Sequence, residues 1–197
     1  MQDEYDYLCK LIVFGDSGVG KTTLEKYIYQ VRESVRNEGK IEEKDIILDY
    51  GSRTSVVGVG FQWITVEVKG RKTKLQIWVY TDREHFFEMK GFLNGLRGAS
   101  GALLLYDVTN ASSLNKIPKW CEWIAEQCGK IPIALIGNKV DVEEQQVISK
   151  ERGIEVQKSN NLSFFMEIST KTGENVIKML EQIGELMLEV NSNHSYL

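Results

Sequence analysis

Proline, cysteine and histidine are scarce in this chain, with 2 prolines, 3 cysteines and 2 histidines among 197 residues. So little proline excludes a collagen-like or proline-rich extended chain. The cysteines, Cys9, Cys121 and Cys128, are odd in number and lack metal-ligand spacing. They exclude a disulfide scaffold and predict small, reduced, partly buried thiols. No apolar run reaches the ~18 residues of a membrane-spanning helix. Residues 1–20 open with acids and hold only the short run Leu11–Phe14, unlike a secretion signal. Neither sign of charge dominates, since 24 Lys+Arg face 28 Asp+Glu for a net charge of −4. The basic residues cluster only at Lys69–Lys74 and in a few isolated pairs, which argues against nucleic acid as a partner. With 42% hydrophobic and 26% charged residues, the composition is that of a folded globular chain rather than a disordered one. A soluble, cytoplasmic protein is expected.

Two periodicities alternate along the chain. Runs rich in branched and aromatic residues read as buried strands at Tyr7–Phe14, Val57–Val68, Lys74–Val79, Ala102–Tyr106, Ile131–Ile136 and Leu162–Glu167. Between most of them the apolar spacing is helical. Leu114, Ile117, Trp120, Cys121, Ile124 and Ala125 form one stripe, and Ile177, Leu180, Ile183, Leu186, Met187 and Val190 form another. Gly70 and Arg71 separate two strand-like runs, which predicts a β-hairpin. Strand–helix alternation elsewhere predicts parallel pairing with helices on both faces, an α/β fold. Pro118 and Pro132 sit at element starts. Residues 1–190 read as one domain, Arg32–Arg53 as a long loop with some helix, and Asn191–Leu197 as a frayed, flexible tail.

The strongest local signal is Gly15-Asp16-Ser17-Gly18-Val19-Gly20-Lys21-Thr22, which follows a predicted strand and precedes Thr23, Leu24, Tyr27 and Ile28 at helical spacing. The glycines let the backbone turn so that N–H groups from Asp16 to Thr23 converge on phosphate oxygens, and the following helix adds the positive end of its dipole. Lys21 supplies a charge for the terminal phosphates, and the Thr22 hydroxyl is the candidate ligand for Mg²⁺.

Two later segments choose the base. Asn138-Lys139-Val140-Asp141 directly follows a predicted strand. A carboxylate at Asp141 accepts from N1–H and the exocyclic amine of guanine, which adenine does not offer together. Asn138 can tie this loop to the cradle, and the Lys139 stem can cover one face of the base. Glu167-Ile168-Ser169-Thr170-Lys171 closes the next strand, and a backbone N–H in that turn can donate to guanine O6.

These segments, with Leu103-Leu104-Leu105-Tyr106-Asp107-Val108-Thr109 and the continuation Thr172-Gly173-Glu174-Asn175-Val176, resemble the Ras superfamily of small GTPases, most closely its Rab branch. The resemblance spans roughly Tyr7 to Val190 with motifs in the family's order. It implies a P-loop G domain, a six-stranded mostly parallel sheet flanked by about five helices, that binds GTP or GDP with Mg²⁺. By the family's pattern Lys21 and Thr22 bind phosphate and metal. Asn138, Lys139, Asp141, Ser169, Thr170 and Lys171 shape the guanine site.

The departures from that pattern fall where the family senses and hydrolyses the γ-phosphate. Rab-like proteins carry D-T-A-G-Q-E after a Trp-ended strand, whereas here Trp78 is followed by Val79-Tyr80-Thr81-Asp82-Arg83-Glu84. Val79 cannot hold a metal-bound water. Asp82 adds a charged side chain at the glycine position. Arg83, at the glutamine position, is a donor only and cannot accept a hydrogen bond from an attacking water. A shifted register would instead bring Asp82 to the metal, and Arg83 would alternatively stabilise charge in cis. The family's T-I-G-V-D-F is Val56-Val57-Gly58-Val59-Gly60-Phe61 here, with Thr54 and Ser55 as nearby substitutes for the missing threonine. Tyr50 belongs either against the guanine edge or on an exposed loop.

No cysteine follows Cys128, so either the protein is not prenylated or its lipidated tail lies outside this sequence, and Gln2 after Met1 excludes N-myristoylation. Membrane association would come through a lipidated tail or a partner. Phe61 and Trp78 resemble Rab effector contacts, or else pack the hairpin against helices, and effector or regulatory proteins are expected at the switch and hairpin surface. The reading is an atypical switch in vesicle trafficking or signalling with weak intrinsic hydrolysis. Its alternatives are an active GTPase with non-standard groups and a nucleotide-free scaffold.

Overall fold

The computed structural model describes residues 5–38, 59–80 and 95–194. Six strands form one sheet: β1 (Tyr7–Gly15), β2 (Val59–Val68), β3 (Arg71–Tyr80), β4 (Gly101–Asp107), β5 (Ile133–Asn138) and β6 (Phe164–Ile168), in the order β2-β3-β1-β4-β5-β6. Only β2 and β3 are antiparallel, and all other pairs are parallel. This is the expected α/β sheet with one hairpin. The helices are α1 (Lys21–Glu38), a short α2 (Ala111–Asn115), α3 (Ile117–Cys128), α4 (Lys150–Ser159) and α5 (Val176–His194). None of them is long and apolar enough to cross a membrane.

The central strands carry no polar alternation because both faces are covered. All seven residues of β4 are buried. On one face Leu24 and Ile28 of α1 and Met179, Ile183 and Met187 of α5 pack on Leu11, Val13, Leu75, Ile77 and Leu103. On the other, Ile117 and Ile124 of α3 and Val156 of α4 pack on Ile12, Leu104, Tyr106 and Leu135. Truncating any of these fully buried aliphatics costs about 2–5 kcal/mol. Pro118 sits at the first turn of α3, where the missing N–H costs nothing, and Pro132 immediately precedes β5.

Local chemistry moves three boundaries. The hairpin turn is Lys69-Gly70, and Arg71 already belongs to β3. Both turn residues have positive φ, 50° and 73°, as a two-residue turn matched to strand twist requires. Lys69 is held in that strained region by Glu185 and Glu189 of α5, each 2.8 Å from its ammonium. Helix α1 runs through Glu38, so the first third of the segment Arg32–Arg53 is helical; the remainder lies outside the described residues. Helix α5 continues to His194, beyond the point where the sequence pattern alone would end it.

The order of the sheet reverses between β1 and β4, and at such a switch point the carboxyl ends of the strands leave a crevice. Gly15 ends β1 at this point: with φ at 144°, a Cβ on it would fall 2.2 Å from the Leu105 carbonyl oxygen. Beside the crevice, α1 meets β2 through a buried polar joint. Glu25 is 4% exposed, and its carboxylate lies 2.2 Å from where a Cβ on Gly60 would stand. Gln62 hydrogen-bonds Glu25 and accepts from Arg32 at 3.1 Å. Burial pushes the Glu25 carboxyl up, against the Gln62 hydrogen bond and the Lys26 charge, and Oε1 has no hydrogen-bond partner. A raised carboxyl costs stability once it ionises; the cost is absent below the unfolded value of ~4.3 and grows as pH rises through the folded one. Glu25→Gln should therefore raise the urea midpoint at pH 7 and leave it nearly unchanged near pH 4.

Candidate functional site

Four strand ends converge on one crevice. β1 delivers the loop Asp16–Gly20, β4 delivers Asp107, β5 delivers Asn138 and the loop to Asp141, and β6 delivers Ser169–Lys171. In the first loop Gly18 and Gly20 adopt φ of 79° and 103°, a left-handed backbone that side chains resist. Nothing lies within 4 Å of a Cβ built on Gly18, so the loop opens there. Ser17 and Gly18 are exposed while Asp16 and Val19 are buried.

Helix α1 begins at Lys21 with no acid in its first turn, so its positive end is uncompensated by local side chains. The Lys21 ammonium is 5% exposed as a residue and donates to the carbonyls of Gly15 at 2.5 Å and Asp16 at 2.6 Å. Those carbonyls orient the ammonium across the loop. The Asp16 carboxylate is paired with Lys116 at 2.8 Å, which neutralises the acid in the loop. Thr22 is exposed at the helix start and Thr23 half-buried. The arrangement fits a polyphosphate: a turn of N–H groups, a helix N-terminus and an oriented cation. Among the described residues no cluster of three or more His, Cys, Asp or Glu could hold a metal. Thr22 is a suitable hydroxyl ligand for a cation bound mainly by phosphate oxygens and water.

Asn138 is fully buried and uses its whole amide. Nδ2 donates to the Val19 carbonyl at 2.7 Å and to Thr170 Oγ1 at 3.1 Å, while Oδ1 accepts from the Thr170 N–H at 3.0 Å. A Cβ on Gly20 would fall 2.1 Å from Nδ2, so a glycine is required there for packing as well as for φ. Asp141 is held by the Ser169 hydroxyl at 2.6 Å, with the Lys171 ammonium 3.7 Å from its other oxygen. The Ser169 oxygen also accepts the N–H groups of Lys171 and Thr172 at 3.3 and 3.1 Å.

Lys139, with φ at 75°, donates to Asp107 Oδ2 at 2.5 Å. Burial pushes the Asp107 carboxyl up, but hydrogen bonds from Lys139 and Thr109 outweigh it and hold it below the usual carboxylate range. Asp107 thus fixes Lys139 across the crevice, a role the sequence did not reveal although Asp107 sits inside the quoted Tyr106-Asp107-Val108-Thr109 run. Tyr27 was also missed: its hydroxyl stands 2.2 Å from where a Cβ on Gly173 would lie, so α1 buttresses the Ser169–Gly173 turn.

Val79 is 1% exposed, packed in the α1–α5 core between Val13 of β1 and Gly60 of β2. It offers hydrocarbon where the family's pattern has a carboxylate. Phe61 is 44% exposed and meets Trp78 edge to face, with ring centroids 5.4 Å apart. Tyr50, Thr54, Ser55, Val56, Asp82 and Arg83 lie outside the described residues.

A profile of the Ras family matches residues 50–189. The chain is 35% identical to Ras-related protein Rab-10 of Caenorhabditis elegans over 185 residues, which is 93% of this chain and 83% of the relative. It is 35% identical to Ras-related protein Rab-8B of Pongo abelii over 177 residues, 89% and 76% of the two chains. GTP-binding protein ypt3 of Schizosaccharomyces pombe is 33% identical over 195 residues, 98% and 82%. Within the site, Asn138→Ala leaves three buried groups without their partners and should cost roughly 2–4 kcal/mol, measurable by urea unfolding without added nucleotide.

Proposed function

The chain belongs to the Ras family as a Rab-like GTP-binding protein, and on that premise we propose that it is an atypical switch with one G domain that holds guanine nucleotide tightly and hydrolyses GTP very slowly. The observation that carries the reading is the wiring of Asn138 between Val19 and Thr170, taken together with a buried hydrocarbon at Val79.

In this reading the N–H groups of Asp16, Ser17, Gly18, Val19, Gly20, Lys21, Thr22 and Thr23 cradle the α- and β-phosphates and Lys21 carries the compensating charge. Asp141, positioned by Ser169, accepts from N1–H and the 2-amino group of guanine. Lys139, fixed by Asp107, covers the base with its stem, and Thr170 and Lys171 bring backbone N–H groups toward O6. Thr22 would hold Mg²⁺, which when bound neutralises charge on the β- and γ-phosphates. Without a carboxylate at Val79, the protein's hold on that ion's water shell is weakened.

Catalysis is where the residues fall short. Hydrolysis requires a group that accepts from the attacking water and an ordered threonine on the γ-phosphate. The sequence places Arg83 and Val56 at those positions. Even a complete unassisted Ras site turns over at only ~10⁻⁴ s⁻¹, so this chain should not exceed that rate. Setting the protein in the cytoplasm, in vesicle trafficking or signalling, follows from the Rab-like relationship, with membrane contact through a lipidated tail or a partner. The exposed Phe61 beside Trp78 supports an effector contact there.

Titration calorimetry should show GDP and GTP binding and no binding of ATP; comparable affinity for all three would end the proposal. Asp141→Ala should weaken GDP by about tenfold to a hundredfold, on the scale of ~1–3 kcal/mol for a bidentate base contact, without changing the urea midpoint by as much as Asn138→Ala does. Single-turnover assays should give a rate at or below ~10⁻⁴ s⁻¹. A faster rate that collapses in Arg83→Ala would favour instead a GTPase with a non-standard arginine.

A further inference from the structure

Glu25 is a carboxylate that the nucleotide reading leaves unused, and it stands one helical turn from the phosphate cradle. It is 4% exposed, yet it follows Thr22 by only three residues on α1. Side chains three apart on a helix are neighbours, with Cβ atoms about 5–6 Å apart. They also lean toward the helix N-terminus, which carries the Glu25 carboxylate back toward the turn of Thr22.

The strands facing α1 set what surrounds that carboxylate. Its two oxygens lie 2.2 and 2.7 Å from where a Cβ on Gly60 would stand. Gly60 pairs with Val79, and directly opposed residues present their side chains on one face, with Cβ atoms about 5 Å apart. The acid therefore occupies, from the helix, the space beside the Val79 side chain. Val79 in turn pairs with Val13, two residues before β1 ends at Gly15. Thr22, Glu25 and Val79 thus share one corner at the carboxyl ends of the strands.

Hydrogen bonding holds the acid in place and leaves half of it idle. Gln62 accepts from Arg32 through its Oε1 at 3.1 Å, so its amide N–H groups are left to donate to Glu25. Glu25 Oε1 is shut off from solvent and has no hydrogen-bond partner among the described residues. A buried carboxylate oxygen without a donor is costly. A purely structural joint would not call for one, since an amide in place of the acid would also hydrogen-bond Gln62 without burying a charge.

We propose, resting on the nucleotide reading above, that Glu25 is a positioning residue for the divalent cation of the nucleotide complex, accepting a hydrogen bond at Oε1 from one of that cation's waters. Mg²⁺ keeps several waters when phosphates supply its other ligands, and the ion's charge makes those waters strong donors. One such donor is what Oε1 lacks. A carboxylate on α1 thereby restores part of the hold on the water shell that hydrocarbon at Val79 gives up. It supplies nothing at the positions of Arg83 and Val56, so hydrolysis stays slow.

The test follows release of a fluorescent GDP analogue from the full chain at buffered free Mg²⁺, from EDTA alone to saturation. The free Mg²⁺ at which release is half slowed reads the cation's affinity. Glu25→Gln should raise this half-point about tenfold or more, the usual loss when a group orienting a metal's ligands is removed. Its release rates in EDTA and at saturating Mg²⁺ should stay near those of the wild type. Glu25→Asp, one methylene shorter, should fall between the two. Mn²⁺ titrated into the GDP complexes, with the free ion counted by paramagnetic resonance, should give the same order of affinities. An unchanged half-point and unchanged Mn²⁺ affinity in Glu25→Gln overturn the proposal while GDP binding stands. Equally faster release at every Mg²⁺ concentration, EDTA included, also overturns it, because that marks a structural joint. A wild type that retains no GDP overturns the nucleotide reading itself, and this proposal with it.

Discussion

The side-chain amide of Asn138 is the joint on which the site depends. Two donors and one acceptor, all buried, connect the end of β5 to the Val19 carbonyl and to both the hydroxyl and N–H of Thr170. Without that amide, the Val19 carbonyl and the hydroxyl and N–H of Thr170 would be taken from water and left unmatched. With it, two loops distant in sequence become one preorganised surface, so less ordering is left for a ligand to impose. Gly20 is part of the same joint, since any Cβ there would occupy the amide's own space.

Around this joint, charge is arranged in short pairs: Asp16 with Lys116, Asp107 with Lys139 and Asp141 with Lys171. The pair at Asp16, inside the loop, limits the repulsion a bound polyphosphate would meet from that carboxylate. Lys21 donates to two carbonyl oxygens, which aim its ammonium across the loop. At the other rim the balance changes. Val79 closes β3 with hydrocarbon, and next to it Glu25 from α1 fills the space beside Gly60, the position where the family's pattern has aspartate. An acid thus reaches this corner from the helix rather than from the strand, buried and incompletely hydrogen-bonded, at a site that adjoins the residues before β2.

Much of this was legible in the sequence because it is governed by local rules. The strands near Ala102–Tyr106 and Ile131–Ile136 announced themselves as short unbroken apolar runs, and the glycine-rich loop as a turn between a strand and a helix. What was missed depended on contacts far apart in the chain. Asp107 looked like one acid among many until Lys139, 32 residues later, was placed against it. Tyr27 read as one more apolar helix position, and only the approach of Gly173 revealed it as a buttress. The hairpin turn was displaced by one residue because the sequence pattern pairs Gly70 with Arg71, whereas the backbone takes Lys69 into a positive φ and Arg71 into β3.

By itself the sequence determined the order of elements, the two-sided burial of the central strands, the type of each site residue and the chemical deficit at Val79, since periodicity and functional-group chemistry are written residue by residue. Tertiary structure alone decided which of those groups touch. It brought Asn138 onto Val19, sent Lys69 and Lys74 to opposite faces of one sheet, and placed Glu25 against Gly60. Such pairings depend on strand register and helix docking, which bring together groups whose separation along the chain carries no signal of their meeting.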